Sequence, residues 1–303
     1  MRGSVVVGKV LTYLFLVLAG LVLIYPLLYM TLASFLSQEE YITYIAGTSI
    51  LPIPVRLYLG TYGELLVGSG PLVTALQVTL RREVWFIASG LLVSLFGGYA
   101  FSRLRFPGRD AMFMFFLTAL MVPGMLISIP VYVMMARFPF VGGNSASGVG
   151  GHGFLNSWAA LFILGNVPAF LVFLTKQNMD MIPIEYEEAA IMDGAGLLTI
   201  LFRVYVPMLK PVMAVMIVQK FIGVWNEYFM PMILVAGKPK LAPIAVALQR
   251  LIWNTAMRTE EATLPRFDLV FAGATFMSIP PILLYVFMQR QFVQGLVGVG
   301  VRG

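Results

Sequence analysis

A polar segment at residues 185–211, EYEEAAIMDGAGLLTILFRVYVPMLKP, interrupts an otherwise apolar chain. It contains four acidic and two basic residues, whereas only 11% of the 303 residues in the chain are charged and 59% are hydrophobic. Apolar runs long enough to cross a bilayer lie on both sides of it, since a membrane span needs roughly 20 such residues. The segment is therefore expected to lie outside the lipid, between two spans.

The composition excludes several classes of protein. A mean hydropathy of +0.89 with so little charge does not fit a soluble domain, in which about a quarter of the residues are charged. The apolar runs are continuous rather than alternating, which favours helices over a membrane β-barrel. The absence of cysteine excludes disulfides and thiolate metal sites. The net charge of +6 comes without a basic cluster interleaved with aromatics, so it indicates membrane flanks rather than nucleic-acid binding.

Six apolar runs predict an all-α polytopic membrane protein with six transmembrane helices. Their approximate bounds are 10–36, 84–102, 111–134, 157–175, 211–236 and 269–289. The first run is too long for the core of a signal peptide and lacks a clean small-x-small cleavage site, so it is interpreted as a retained helix. Because there is no internal repeat and no dividing linker, residues 1–303 are expected to form a single transmembrane domain.

The short loop RLRFPGRD, residues 103–110, indicates the orientation in the membrane. It carries three arginines, and short basic loops stay on the cytoplasmic side. Both termini and the 185–211 segment are then predicted to be cytoplasmic. The outer loops are predicted at about 38–75, 137–157 and 238–268.

The polar segment itself predicts two short helices joined by a glycine turn. Pro183 suits the first turn of a helix. Acids are concentrated in that turn, where the helix dipole favours anions: Glu185, Glu187 and Glu188. Gly194 then breaks the helix, apolar residues at helical spacing follow, and Pro207 closes the second helix.

A resemblance follows from these residues. The pattern Glu188-Ala189-Ala190, three residues, Gly194, nine residues, Val204-x-Val206-Pro207 resembles the EAA signature of ABC importer permeases, with Val replacing the usual Ile and Leu at its end. Outside the motif, four stretches are similar to the MalG-type subunit of carbohydrate importers: RLRFPGRD, MVPGMLISIPVY (121–132), WNEYFMPMIL (225–234) and QRQFVQGL (289–296). The resemblance runs from about Leu76 to the C-terminus and is weaker around 137–157 and 238–265.

The resemblance implies the type I ABC importer permease fold, with a cytoplasmic coupling helix that docks on an ATPase. Carried over residue by residue, the ATPase-coupling set is Glu187, Glu188, Ala189, Ala190, Asp193, Gly194 and Pro207. The alternative is that the acids only solvate a cytoplasmic loop. The implied partners are a second, homologous MalF-type permease, two ATP-binding subunits that carry ATP and Mg, an extracytoplasmic solute-binding protein and a saccharide. No nucleic acid is implied.

The chain carries no motif for binding a nucleotide, cofactor or metal. No G-x-x-x-x-G-K-[ST] loop occurs, so ATP is expected to be hydrolysed by the partner subunits. Two G-x-G-x-x-G matches, at 148–153 and 298–303, do not follow a strand and are interpreted as chance. The single histidine, His152, lies in a glycine-rich stretch and is expected to be a solvated loop residue.

Polar residues within the predicted spans are candidates for the translocation path, because charges in a bilayer usually face protein or water. Those in the fourth and fifth spans are Asn166, Lys220, Trp225, Asn226 and Glu227. Lys220 and Glu227 are seven residues apart, a helical rise of about 10 Å, which is too far for a direct pair. The alternative is that these groups satisfy one another or pack against the partner permease.

The resemblance extends the second predicted helix back to about Leu76, giving 76–102, and so places Arg81 and Arg82 in its outer turns. One interpretation is that both side chains snorkel to the membrane interface. The other is that they form an electropositive mouth to the path that favours an acidic saccharide such as a uronate oligomer.

The sequence thus predicts a non-catalytic permease subunit of an ATP-driven sugar importer in the inner membrane, forming half of the translocation path. Three alternatives stay open. The first is an EAA permease for another solute, such as a glycerophosphodiester or a polyamine. The second is a passive channel, which would not need the coupling motif. The third is an intramembrane enzyme, for which the chain shows no paired aspartates, H-E-x-x-H motif or serine with histidine.

Overall fold

The computed structural model describes residues 2–47, 50–67, 70–163, 168–257 and 266–297, and every regular element in these ranges is a helix. This confirms the predicted all-α class. The α-helices are α1 (Arg2–Ala33), α2 (Gln38–Ala46), α3 (Gly60–Leu66), α4 (Pro71–Ser102), α5 (Arg109–Thr118), α6 (Ser128–Ala136), α7 (Trp158–Phe162), α8 (Ala169–Asp180), α9 (Glu185–Met192), α10 (Leu197–Ile200), α11 (Val206–Met208), α12 (Lys210–Asn226), α13 (Phe229–Leu234), α14 (Ile244–Met257) and α15 (Phe267–Val297). There are also 3₁₀ turns at Ala119–Met121 and Pro239–Leu241 and a π-helical turn at Leu201–Tyr205.

Three helices in the described ranges are long and apolar enough to cross a membrane. They are Gly8–Ala33 in α1, Leu72–Ser102 in α4 and Phe267–Gln289 in α15, and they coincide with the first, second and sixth predicted runs. A fourth candidate is the pair Leu197–Met208 and Lys210–Asn226, whose arms are bent by 82°. The chain is therefore a polytopic helical membrane protein, and the number of six spans stays a prediction.

The other predicted runs differ from continuous helices because prolines and a polar break interrupt them. The third run splits into α5 and α6 on either side of Pro123, which has no N–H to donate. In the fifth, α12 ends at Asn226 and Glu227 has an extended backbone, with φ −70° and ψ 114°. In the fourth, α7 and α8 flank residues 164–167, which lie outside the described residues.

The chain packs as two compact units. One contains Met1–Thr74 and Ala247–Pro280, and the other contains Ala75–Val246 and Pro281–Gly303. The single transmembrane domain inferred from the sequence stays a prediction.

Aromatic packing and an ion-pair network organise the first unit. The rings of Tyr41 in α2 and Phe271 in α15 meet edge to face, 5.3 Å apart. Arg266, just before α15, donates to Asp268 at 2.8 Å and reaches Glu64 of α3 at 3.2 Å. The hydrogen bond from Arg266 to Asp268 is the main reason why the pKa of the Arg266 guanidinium is raised above its ordinary value. The network thus holds α3 against the start of α15.

The apolar window of α1 makes almost no contact with the rest of the chain. No residue of its most apolar stretch is buried, and Leu23 is 76% exposed. An exposed apolar surface of this length needs lipid or another protein to cover it.

In the second unit, α4 packs closely on α8 because a glycine faces a β-branched residue. A Cβ atom at Gly98 would lie 2.5 Å from Cγ2 of Thr175 and 3.1 Å from the backbone nitrogen of Lys176. Below this contact lies a core of seven buried residues from α4, α8 and the 200–209 region: Leu95, Tyr99, Met179, Ile200, Leu201, Tyr205 and Leu209. This core supports the 185–207 segment.

Candidate functional site

The 185–207 segment forms the predicted helix, glycine turn and second helix. Helix α9 ends at Met192, and Gly194 adopts a left-handed conformation with φ +79°, which non-glycine residues rarely tolerate. The amide of Ala195 donates to the carbonyl of Ala190 at 2.9 Å and closes the turn. Helix α10 then continues through the π-helical turn into α11. Such π turns are frequent at functional sites.

Glu187 points into the protein rather than toward the surface. It is 8% exposed, and the hydroxyl of Tyr205 donates to its Oε2 at 2.5 Å. The hydroxyl of Tyr99, on α4, donates to Oε1 at 3.3 Å. Nε of Arg103 lies 3.8 Å from Oε2. The alternative that the acids only solvate a loop is therefore wrong for Glu187, whose carboxylate anchors α9 to the core.

Arg103 joins this anchor to the end of α8. Its Nη2 donates to the carbonyl of Met179 at 2.6 Å and to that of Ile182 at 2.5 Å. Its guanidinium also lies over the ring of Tyr205, 5.2 Å from the centroid. Carbonyls at a helix C-terminus lack intrahelical donors, so a cation is well placed there. We call Tyr99, Arg103, Glu187 and Tyr205 the anchor cluster.

The remaining predicted coupling residues form or border an exposed surface. Glu188, Ala189, Asp193, Gly194 and Pro207 are exposed, and Ala190 is half-buried. Large apolar side chains are exposed beside them: Ile184, Tyr186, Ile191, Met192, Leu197 and Leu198, with Met192 at 87%. We call these exposed residues the coupling surface. An exposed apolar patch of this kind indicates a protein contact.

A cavity of about 470 Å³ lies elsewhere in the second unit and brings together three of the predicted path residues. Arg82, Lys220 and Glu227 line it. The other lining residues are apolar or glycine: Phe86, Gly124, Ile127, Val131, Ala160, Leu161, Gly223, Val224, Met230, Pro231 and Leu234. The volume falls in the range of small-molecule sites.

Arg82 and Glu227 form an ion pair across the cavity wall, through Nη2 and Oε2. The guanidinium of Arg82 and the amino group of Lys220 both lie over the ring of Phe86, at 5.3 Å and 5.6 Å. The Lys220 side chain packs against α4 at Gly90. A Cβ atom added to Gly90 would lie 2.8 Å from Cε of Lys220. Arg82 is 2% exposed, so the snorkelling interpretation is wrong for it.

The other predicted path residues do not line this cavity. Trp225 is 1% exposed and stacks on Phe221 at 5.4 Å. Asn226 is exposed and donates to the carbonyl of Ile222 at 3.0 Å. Arg81 lies over the ring of Trp158 at 5.2 Å. Asn166 lies outside the described residues.

Sequence reasoning missed Glu83 and the tyrosines of the anchor cluster. Glu83 is 3% exposed, and in the described chain neither of its oxygens has a hydrogen-bond partner. A charged residue inside a predicted span was a usable signal for Glu83. No local pattern marks Tyr99 and Tyr205 as partners of a carboxylate. Among the described residues, no group of three or more His, Cys, Asp or Glu could hold a metal ion.

Known proteins resemble this chain over most of its length. The family model "Binding-protein-dependent transport system inner membrane component" matches residues 90–298. The maltodextrin transport system permease protein MdxG of Bacillus subtilis (strain 168) is 32% identical, over 98% of this chain and 97% of its own length. The galactooligosaccharides transport system permease protein GanQ of the same organism is 29% identical, over 96% and 95%.

A solved structure also matches. It is a chain of a bacterial ABC transporter involved in the import of the acidic polysaccharide alginate. It superposes with a TM-score of 0.79 at 25% identity and covers 96% of this chain and 98% of its own.

Proposed function

The chain belongs to the family of binding-protein-dependent transport system inner membrane components, and from this membership we propose that it forms half of the translocation path of an ATP-driven importer for a sugar or oligosaccharide. Members are permease subunits of ABC transporters, which are transport components rather than enzymes. The chain is accordingly a multi-pass inner-membrane protein that works with a solute-binding protein and ATPases.

The substrate class follows from the relatives. MdxG and GanQ are named for maltodextrin and galactooligosaccharide transport, and the superposed structure belongs to an alginate importer. These solutes are all saccharides, which supports a saccharide as the solute here.

The partner set and orientation extend this proposal. One homologous, MalF-type permease supplies the other half of the path, two ATPase copies bind ATP with Mg, and the binding protein delivers substrate from outside. The termini and the coupling surface face the cytoplasm, as the basic loop at 103–110 indicates. No nucleotide or cofactor is assigned to this chain.

The observation that carries the proposal is that the two sides of α9 make different contacts. The coupling surface presents Glu188 and its apolar neighbours outward, while Glu187 on the same helix binds the core. A movement applied to the coupling surface is thereby carried by the anchor cluster to α4 and α8. ATP binding shifts the transporter between inward- and outward-open forms only by its different affinity for the two, so the spans must differ in position between the ATPase states that the coupling surface contacts.

The test is transport by the complete complex in proteoliposomes. ATP hydrolysis and solute uptake are measured with maltodextrin, galactooligosaccharide, a uronate oligosaccharide, a glycerophosphodiester and a polyamine. We expect at least one saccharide to stimulate hydrolysis and to accumulate only with ATP. Stimulation by the glycerophosphodiester or polyamine alone would contradict the sugar assignment, and accumulation without ATP would contradict the importer.

A further inference from the structure

The cavity wall carries more positive than negative groups. Arg82 and Lys220 are the cations in the wall and Glu227 is the carboxylate, within a lining that is otherwise apolar or glycine. Glu83, the next residue after Arg82 on α4, is buried but does not line the cavity. A cavity in the membrane that holds two cations and one carboxylate favours an anionic ligand.

Arg82 has hydrogen-bonding capacity left over. Its Nη2 binds Glu227, whereas Nε and Nη1 have no hydrogen-bond partner in the described chain and no access to solvent. A guanidinium carries five N–H donors in a planar fork that matches both oxygens of a carboxylate. Buried donors without acceptors are costly, so a ligand that supplies two carboxylate oxygens satisfies Arg82 better than Glu227 does alone.

Glu227 is placed so that it can leave Arg82. Its side chain is 39% exposed, against 2% for Arg82, so Glu227 is the more accessible member of the pair. It occupies the extended break between α12 and α13. Rotating Glu227 away therefore exposes the guanidinium without unwinding a helix.

Phe86 fixes the position of the two cations. Both lie over its ring, and all three residues line the cavity. Cation–π contacts hold Arg82 and Lys220 in place when Glu227 moves.

We propose that this cavity binds the carboxylate of an acidic saccharide, a uronate, by exchange with Glu227 on Arg82. Lys220 supplies the second positive charge. A neutral sugar cannot perform the exchange, because its hydroxyl groups would leave a buried guanidinium without a counter-charge. The inference rests on the proposed function and adds the substrate class and the residues that select it.

The experiment measures ligand binding to the purified complex without its binding protein, so that the permease alone selects the ligand. The probes are a galacturonate trisaccharide and its methyl ester, which differ only in charge at the carboxyl groups. The variants are Arg82→Gln, Glu227→Gln and Lys220→Gln, with exposed Arg56→Gln as the matched control. Melting temperature is recorded for each variant.

We expect the wild type and Arg56→Gln to prefer the trisaccharide over its ester. Arg82→Gln should weaken binding of the trisaccharide by at least about 30-fold, because it removes one partner of a buried charge pair. Lys220→Gln should also weaken it. Glu227→Gln should strengthen it several-fold, because the internal competitor is lost. This last result is independent of any folding defect in Arg82→Gln.

Equal binding of trisaccharide and ester by the wild type would overturn the inference. Weaker binding of the trisaccharide by Glu227→Gln would also overturn the inference. A purely structural ion pair predicts weaker binding when either Arg82 or Glu227 is replaced. Both results leave the proposed function intact if a neutral oligosaccharide still drives ATP-dependent uptake. If no saccharide of either kind drives uptake, the proposed function itself fails.

Discussion

Gly194 and Glu187 lie in the same short segment but are constrained by different forces. Gly194 is fixed by its backbone, since φ +79° is accessible to glycine and strained for other residues. Glu187 is fixed by its side chain, since three polar groups converge on a buried carboxylate. The spacing in the sequence predicted the turn at Gly194. It did not predict which acid of the first turn faces inward, because that depends on how the helix is rotated against α4.

Gly194→Ala is expected to destabilise the turn by about 1–2 kcal/mol, the cost of a left-handed conformation with a Cβ. Gly196→Ala is the matched control, because Gly196 has φ −79° and open space around it. Hydrogen exchange of residues 185–205 and co-purification of the ATPases are the measurements. Equal exchange rates in the two variants would contradict the role of the turn.

Glu187→Gln is expected to lower stability by about 1–3 kcal/mol, because Arg103 loses its buried counter-charge and one of the two tyrosine hydroxyls loses its acceptor oxygen. Glu188→Gln, on the exposed side of α9, should change stability by less than about 0.5 kcal/mol. Thermal unfolding in detergent measures the first effect, and ATPase binding measures the role of Glu188. A larger loss of stability in Glu188→Gln would show that the orientation of α9 is different.

Among the elements, α4 connects the two candidate sites. It carries Arg82 at the cavity and Tyr99 of the anchor cluster, 17 positions further on in one uninterrupted helix. Its predicted range, 76–102, was close to the observed Pro71–Ser102, because the apolar run from Val84 is a strong signal and the family resemblance extends the helix back across Arg81, Arg82 and Glu83. The pairing of Arg82 with Glu227 could not be predicted, since the two residues are 145 positions apart and no local pattern links them. Breaks at Pro123 and Glu227 were also missed, because hydropathy alone does not distinguish a straight span from an interrupted one.

Gly98→Ala tests the contact between α4 and α8. The added Cβ would overlap the Thr175 side chain, which cannot easily move because it is buried and bonded to the carbonyl of Leu171. We expect a loss of about 1–3 kcal/mol, typical of overpacking. Gly20→Ala, in the open surface of α1, is the control and should leave the melting temperature unchanged or slightly higher. Equal melting temperatures for both variants would contradict close packing at Gly98.

At the scale of the whole molecule, the apolar surface of α1 needs a covering that the described part of the chain does not provide. Its most apolar stretch has no buried residue. A photoreactive side chain at Leu23, 76% exposed, should cross-link to lipid or to the second permease in the assembled complex. The same label at Val78, 2% exposed, should react within the chain. Only intrachain products from Leu23 would contradict this assignment.

The 82° bend between the 197–208 arm and α12 limits how a displacement of that arm can move α12. Two nearly perpendicular axes share almost no common direction, so displacement along the first arm cannot slide α12 lengthwise. Lengthwise travel would shift charged Lys220 in depth, at a cost of up to about 3 kcal/mol near the bilayer centre. A sideways swing keeps that ammonium at constant depth. A displacement of the 197–208 arm therefore tilts α12 sideways, and the electrostatic energy of Lys220 stays nearly unchanged.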